Sequence, residues 1–131
     1  MSLTTDQWIQ TYRRAWVEAD AELVTTLFAE DGEYRWNLLE APAVGREEIR
    51  RYWERETGKQ ADVDVDFGTP FPIAPNRIAV EFWTRMLFEG SPVTLPGCML
   101  LSFDEEGRCL ALREYWIQGD GDSPAPDVWG S

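Results

Sequence analysis

Polar and apolar positions follow two different periods along this chain, and the switch falls near residue 60. In the first half, Trp8, Tyr12, Ala15, Trp16 and Ala19 recur at the three- and four-residue spacing of one helical face. Thr4-Thr5-Asp6-Gln7 precedes them, with Thr4 placed to cap and Gln7 three residues later, the pattern of a capping box. Asp20 opens a short second helix with Leu23, Val24, Leu27 and Phe28 as its apolar residues, and Asp31-Gly32 breaks it. Glu33-Tyr34-Arg35-Trp36 alternates as a strand. Gly45 opens a third helix with Glu47 and Glu48 in its first turn, where the helix dipole favours anions. Ile49, Tyr52 and Trp53 form its apolar face, and Gly58 ends it.

From Ala61 the period is two. Val63, Val65 and Phe67 alternate with Asp62, Asp64 and Asp66. Prolines 70, 72 and 75 mark a turn, a long strand runs from Arg77 to Phe88, and Gly90 to Pro92 turns the chain again. Val93 to Phe103 is a strand, Asp104 to Gly107 a tight turn, and Arg108 to Gln118 the last strand. Residues 119–131 are rich in Gly, Pro and Asp and predict an irregular tail. The pattern predicts one α+β domain over residues 1–118, with helices packed on one face of an antiparallel sheet.

Composition narrows the chemistry. Seven Trp, four Tyr and six Phe imply either a ring-rich core or a ring-lined cavity. A net charge of −12 disfavours nucleic acid and anionic membranes as partners. With no His, the commonest general base and metal ligand is missing, so proton transfer falls to Asp, Glu, Tyr or Cys. No metal or cofactor is expected: Asp62-x-Asp64-x-Asp66 opens like a calcium loop, but Phe67 stands at the glycine position and Ile73 at the final glutamate. Two Cys make no disulfide framework, and Met1-Ser2-Leu3-Thr4 has no basic segment or apolar stretch of a secretion signal. No apolar run approaches the ~18 residues of a membrane span. A cytoplasmic protein with free thiols at Cys98 and Cys109 is the expectation.

Four stretches carry a resemblance: Tyr12-Arg13-Arg14-Ala15-Trp16, Leu27-Phe28-Ala29-Glu30-Asp31-Gly32, Gly45-Arg46-Glu47-Glu48-Ile49-Arg50 and Arg113-Glu114-Tyr115-Trp116. Over roughly residues 5–118 the chain resembles the SnoaL-like branch of the nuclear-transport-factor-2-like superfamily. The resemblance implies a cone-shaped α+β barrel, with three N-terminal helices packed in the concave face of a curved, mostly antiparallel sheet. It does not fix a reaction. Laid against the ketosteroid isomerases of that superfamily, the donor tyrosine falls on Tyr12. The aspartate base falls on Trp36 and the donor aspartate on Met99, neither of which can do that work. The epoxide-hydrolase Asp-Arg-Asp set has no match, and the dehydratases rely on His.

The same resemblance implies a concave face carrying Tyr12, Trp16, Trp36, Trp53, Phe82, Met99, Leu112, Glu114 and Trp116. If Asp104 to Gly107 is a four-residue turn, Met99 faces Leu112, Leu101 faces Leu110, and Gly97 faces Glu114, all on one side of the sheet. Gly97 would then leave room opposite Glu114. In this register Cys98 opposes Arg113 and Cys109 opposes Ser102. Glu114 becomes the one carboxyl among apolar rings, and such a site raises its pKa into the range useful for acid/base work. Glu114 and Tyr12 are therefore the candidate catalytic pair, and the rings with Met99 and Leu112 the candidate wall for a small hydrophobic molecule. The bland alternative has Glu114 paired with a buried Arg or capping a backbone group.

The opposite face carries Trp83, Cys98, Leu100, Tyr115 and Ile117, mixed with Glu81, Arg85 and Arg113. So apolar a face predicts an isologous homodimer, unless the C-terminal tail covers it. Trp129 would serve there or at the pocket mouth. Three functions stay open: a cofactor-free acid/base enzyme of isomerase, cyclase or dehydratase type, a non-catalytic binder of a small hydrophobic ligand, and an interaction domain.

Overall fold

A computed structural model describes residues 2–131, so Met1, first residue of the expected domain, lies outside the described residues. Helix α1 spans Thr5–Val17 and α2 spans Ala21–Thr25. Then follow β1 (Phe28–Arg35), β2 (Ala43–Val44) and α3 (Arg46–Thr57). The remaining strands are β3 (Gln60–Phe67), β4 (Phe71–Ala74), β5 (Arg77–Phe88), β6 (Ser91–Phe103), β7 (Cys109–Trp116) and β8 (Gly119–Asp120). The sheet order is β2-β1-β7-β6-β5-β3, with β4 on β5 and β8 on β6. Only β1 and β7 run parallel among these pairs. This is an α+β fold with three helices on a curved, mostly antiparallel sheet. No helix among the described residues is long and apolar enough to cross a membrane.

Local chemistry accounts for the helix ends. The capping box is complete, with Gln7 N donating to Thr4 Oγ1 at 3.1 Å and Thr4 N donating to Gln7 Oε1 at 3.0 Å. Asp20 Oδ1 accepts from Leu23 N at the start of α2. That helix ends earlier than its apolar pattern predicts, because Leu27 and Phe28 are taken by the sheet. Cys109 N and Trp8 Nε1 both donate to Leu27 O, at 2.8 and 2.9 Å, and Phe28 pairs with Cys109. The hydroxyls of Thr25 and Thr26 bond back to Glu22 O and Leu23 O, closing the helix.

The β5–β6 hairpin turns on Glu89 and Gly90 alone, both at positive φ (50° and 86°), while Phe88 pairs with Ser91. That is the two-residue turn whose twist matches the strands it joins. It corrects the expected turn at Gly90 to Pro92. The proline stretch after β3 also holds more order than expected, since Phe71–Ala74 pairs with β5.

The β6–β7 register differs from the expected one by two residues. Met99 pairs with Glu114, Leu101 with Leu112, Gly97 with Trp116 and Cys98 with Tyr115, while Cys109 pairs with Phe103. The loop is longer than four residues: Asp104 N donates to Arg108 O, and Asp104 Oδ1 accepts from Glu106 N and Arg108 N. A bulge between Ser102 and Phe103 then leaves Leu110 unpaired and exposed. From Leu112 onward a two-residue slip keeps side chains on their predicted faces, whereas at the bulge Leu110 turns outward and Cys109 turns into the core. Both cysteines are free thiols.

Gly97 is required by close approach rather than by a gap opposite Glu114. A Cβ there would lie 2.4 Å from Phe82 Cζ and 2.8 Å from Tyr115 O. The Phe82 ring is fully buried, and Tyr115 O belongs to the paired backbone of β7. Gly97→Ala is expected to destabilise the fold by about 1–3 kcal/mol in urea denaturation, as overpacking does. An unchanged midpoint would mean that the Phe82 ring has room to move.

Candidate functional site

Three elements deliver three oxygens to one point. Trp8, Tyr12 and Trp16 lie one turn apart along α1 and aim inward, with Trp8 and Tyr12 stacked at 5.1 Å. On β1, Tyr34 pairs with Leu112 of β7, and the two-residue period puts Leu112 and Glu114 on the same face. The hydroxyls of Tyr34 and Tyr12 both donate to Glu114 Oε1, at 2.7 and 2.8 Å, and the two hydroxyl oxygens are 3.1 Å apart. Each hydroxyl has one hydrogen, so both point at the carboxylate when Glu114 is ionised.

No cation answers that charge: among the described residues Glu114 has no ion-pair partner. Burial therefore dominates and raises the Glu114 pKa from 4.5 to about 7, against the two hydroxyl hydrogen bonds, which lower it. Both tyrosines are pushed well above their ordinary range, first by burial and then by the charge on Glu114, so they remain protonated donors. Oε2 has no hydrogen-bond partner among the described residues, and it is not sealed off, since Thr84 Oγ1 is the one fully buried unpartnered side-chain atom among them.

Glu114 opens onto a cavity of about 120 Å³. Of the sequence-predicted residues, Tyr12, Trp16, Trp36, Trp53, Phe82, Glu114 and Trp116 line it together. Met99 and Leu112 do not reach it; at 0% and 1% exposure they lie in the core cluster beneath the helices. The shifted register explains part of this, since it sets Met99 directly against Glu114 within the sheet.

Tyr34 and Tyr52 also line the cavity and are absent from the predicted set. The signal for Tyr34 was present: it lies two residues before Trp36 in one strand and so shares its face. Tyr52 stacks on Trp36 with ring centres 3.7 Å apart and meets Tyr34 edge-on at 5.1 Å. Three of the four indole nitrogens around this wall are satisfied. Trp53 Nε1 donates to Ala15 O, Trp16 Nε1 to Gln60 Oε1, and Trp116 Nε1 to Trp36 O. Their rings can therefore face the cavity at no polar cost.

A curved sheet closed by helices around a buried carboxyl defines a cone-shaped α+β pocket protein. The SnoaL-like domain matches residues 9–111, and the chain belongs to that family. Three solved structures are similar to it. A protein of ketosteroid isomerase-like fold from Catenulispora acidiphila DSM 44928, solved with trimethylamine, is 24% identical over 86% of each chain, with a TM-score of 0.75. SalBIII, an epoxide hydrolase/cyclase-like enzyme of pyran ring formation in salinomycin, is 18% identical over 88% of this chain and 95% of its own, with a TM-score of 0.76. A protein from Shewanella denitrificans OS-217 named as a SnoaL-like polyketide cyclase is 16% identical over 86% and 89%, with a TM-score of 0.73. At these identities the likeness is one of fold.

The Glu114 shift sets a pH dependence of stability. Below about pH 4.5 the carboxyl is protonated in both folded and unfolded chains and contributes nothing. Between 4.5 and about 7 the unfolded chain ionises first, so stability falls as pH rises, by about 3 kcal/mol in all. Glu114→Gln keeps an acceptor for both hydroxyls and removes the charge. Urea denaturation is expected to show the variant gaining on wild type as pH rises through this window. Parallel curves for the two proteins would mean that Glu114 titrates near its ordinary value.

Proposed function

We propose that this chain binds a small, largely apolar molecule in the ring-lined cavity, and that Glu114 exchanges a proton with it without a cofactor. The carrying observation is the state of Glu114: buried, with a pKa near 7, held by two phenols through one oxygen, with no partner for the other among the described residues, and lining the cavity. Near neutral pH both protonation states are populated, the condition under which a carboxyl serves as donor and acceptor. An apolar cavity of roughly 150 Å³ takes benzene, so 120 Å³ suits a molecule of comparable or smaller size. Tyr12 and Tyr34 keep the carboxyl oriented; Trp16, Trp36, Trp53, Phe82 and Trp116 supply the wall. The trimethylamine held by the Catenulispora protein and the ring-forming role of SalBIII support small-molecule chemistry in a fold of this kind.

A second reading, a non-catalytic binder, draws on a specific observation. Both tyrosine hydroxyls are engaged by Glu114, so neither is free to stabilise a developing oxyanion. Quenching of Trp fluorescence by a panel of small ring compounds tests the common part. Wild type is expected to bind with an affinity that changes around pH 7, and Glu114→Gln to lose that dependence. Proton exchange on a bound carbon acid, followed by deuterium uptake, separates enzyme from binder. Quenching by no member of the panel overturns the pocket reading.

A homodimer is part of the same proposal. The tail covers one end of the outer sheet face: Trp83 Nε1 donates to Ser123 O, Trp129 meets the Trp83 ring at 6.0 Å, and Arg85 bonds Asp122. Trp129 is thus on the outer face rather than at the pocket mouth. Tyr115 and Ile117 stay 45% and 71% exposed at the other end. Light scattering at roughly tens of micromolar chain is expected to give the dimer mass, and Ile117→Arg the monomer. A wild-type monomer overturns the dimer.

A further inference from the structure

Glu114 leaves an electrostatic account open. A carboxylate out of water is ordinarily matched by an Arg, Lys or metal, or it gives up its charge. Among the described residues its direct partners are two neutral phenols, and the group rests near its midpoint at neutral pH instead of being neutral outright. The surrounding wall is rich in aromatic rings. Trp16, Trp36, Tyr52 and Trp53 converge on the same cavity, and the negative face of each ring attracts a positive centre. One cation already exploits this surface: the Arg55 guanidinium sits 5.5 Å from the Tyr52 ring centre and 5.9 Å from that of Trp36.

We propose that the cavity selects a small organic cation, a tertiary or quaternary ammonium group, whose charge faces Glu114 while its methyl groups contact the rings of Trp16, Trp36, Tyr52 and Trp53. The inference rests on the pocket reading above and names its ligand class. Size agrees, since 120 Å³ admits a trimethylammonium or tetramethylammonium group. Hydrogen bonding agrees as well. A quaternary ammonium carries no N–H donor and so needs no acceptor from the ring-rich wall. The net charge of −12 draws cations toward the molecule as a whole.

The tyrosines near the cavity stay protonated through this pH range. Tyr12 on α1, Tyr34 on β1 and Tyr52 on α3 are all held well above their ordinary values by burial. Glu56 of α3 also lines the cavity, but Lys59 and Arg55 both pair with it, at 3.1 and 3.2 Å. Phe82, Met86, Phe88 and Leu95 from β5 and β6 carry no charge. Deprotonation of Glu114 is therefore the event that switches cation affinity on.

Tetramethylammonium and tert-butanol, nearly matched in shape, isolate the charge. Isothermal titration of the intact protein at about pH 8.5 is expected to show tetramethylammonium bound at least roughly tenfold more tightly than tert-butanol. The preference is expected to collapse at about pH 5.5, below the Glu114 midpoint, and to vanish in Glu114→Gln at both values. Trp16→Leu, which keeps the carboxyl, is expected to weaken tetramethylammonium several-fold more than tert-butanol. A preference that survives in Glu114→Gln overturns the assignment of the charge to this residue. Equal binding of the two probes overturns the cation inference while leaving a small apolar pocket in place. Binding of neither, together with no quenching by the ring panel, overturns both readings.

Discussion

The rest of this site depends on one constraint, a carboxyl group kept out of water without a counter-charge. Transfer of an ionised carboxylate to an apolar setting costs several kcal/mol even after relaxation. Two hydroxyl hydrogen bonds return part of that, of the order of 1.5–3 kcal/mol each for a charged acceptor. The balance is unfavourable for the charge, and the pKa near 7 expresses it. The geometry can exist only where three separate elements agree. Tyr12 comes from α1, Tyr34 from β1 and Glu114 from β7, with 22 residues separating the first two and 80 the last two. The parallel pairing of β1 with β7 is what sets Tyr34 beside Leu112 and hence beside Glu114.

Around that point the rings do two jobs. They fill the space between helices and sheet, as the edge contacts of Tyr12 with Trp53 at 5.4 Å and with Trp16 at 6.2 Å illustrate. Their size and rigidity also stop them from collapsing into the gap they border. An aliphatic wall would have more rotamers with which to close over Glu114, whereas a Trp anchored through its indole nitrogen holds its plane. Trp16, Trp53 and Trp116 are each anchored in this way. The high ring content of the chain thus serves core and cavity together.

How much of this the sequence disclosed depends on whether a feature is local or paired. The capping box at Thr4 and the long strand from Arg77 to Phe88 were readable because each is encoded within a few consecutive residues. The fate of Leu27 and Phe28 was not, since their helical spacing is ambiguous and only pairing with Cys109 decides it. The β6–β7 register was off by two because a bulge at Leu110 has no signature in a run of apolar residues. From Leu112 onward the face assignment nonetheless survived, as an even slip allows, while Leu110 and Cys109 changed faces at the bulge. Glu114 was legible as a lone acid on an apolar face; the second tyrosine on it was not, because the β1–β7 contact is long-range and parallel.

The register also relates this site to the isomerases that the chain resembles. On that resemblance the donor carboxyl of an isomerase falls on Met99, and Met99 is the direct cross-strand partner of Glu114. Directly paired side chains lie about 5 Å apart on one face. A carboxyl lost from β6 and one present on β7 therefore reach nearly the same region, within range of the same Tyr12 hydroxyl. The base position is different: Trp36 stands there, stacked on Tyr52 and accepting through its carbonyl from Trp116. Set against that resemblance, this site has the tyrosine, a carboxyl on the neighbouring strand and a ring at the base position. Glu114 is the carboxyl that Tyr12 and Tyr34 both bond, so its solvation bears most directly on the chemistry proposed for this cavity.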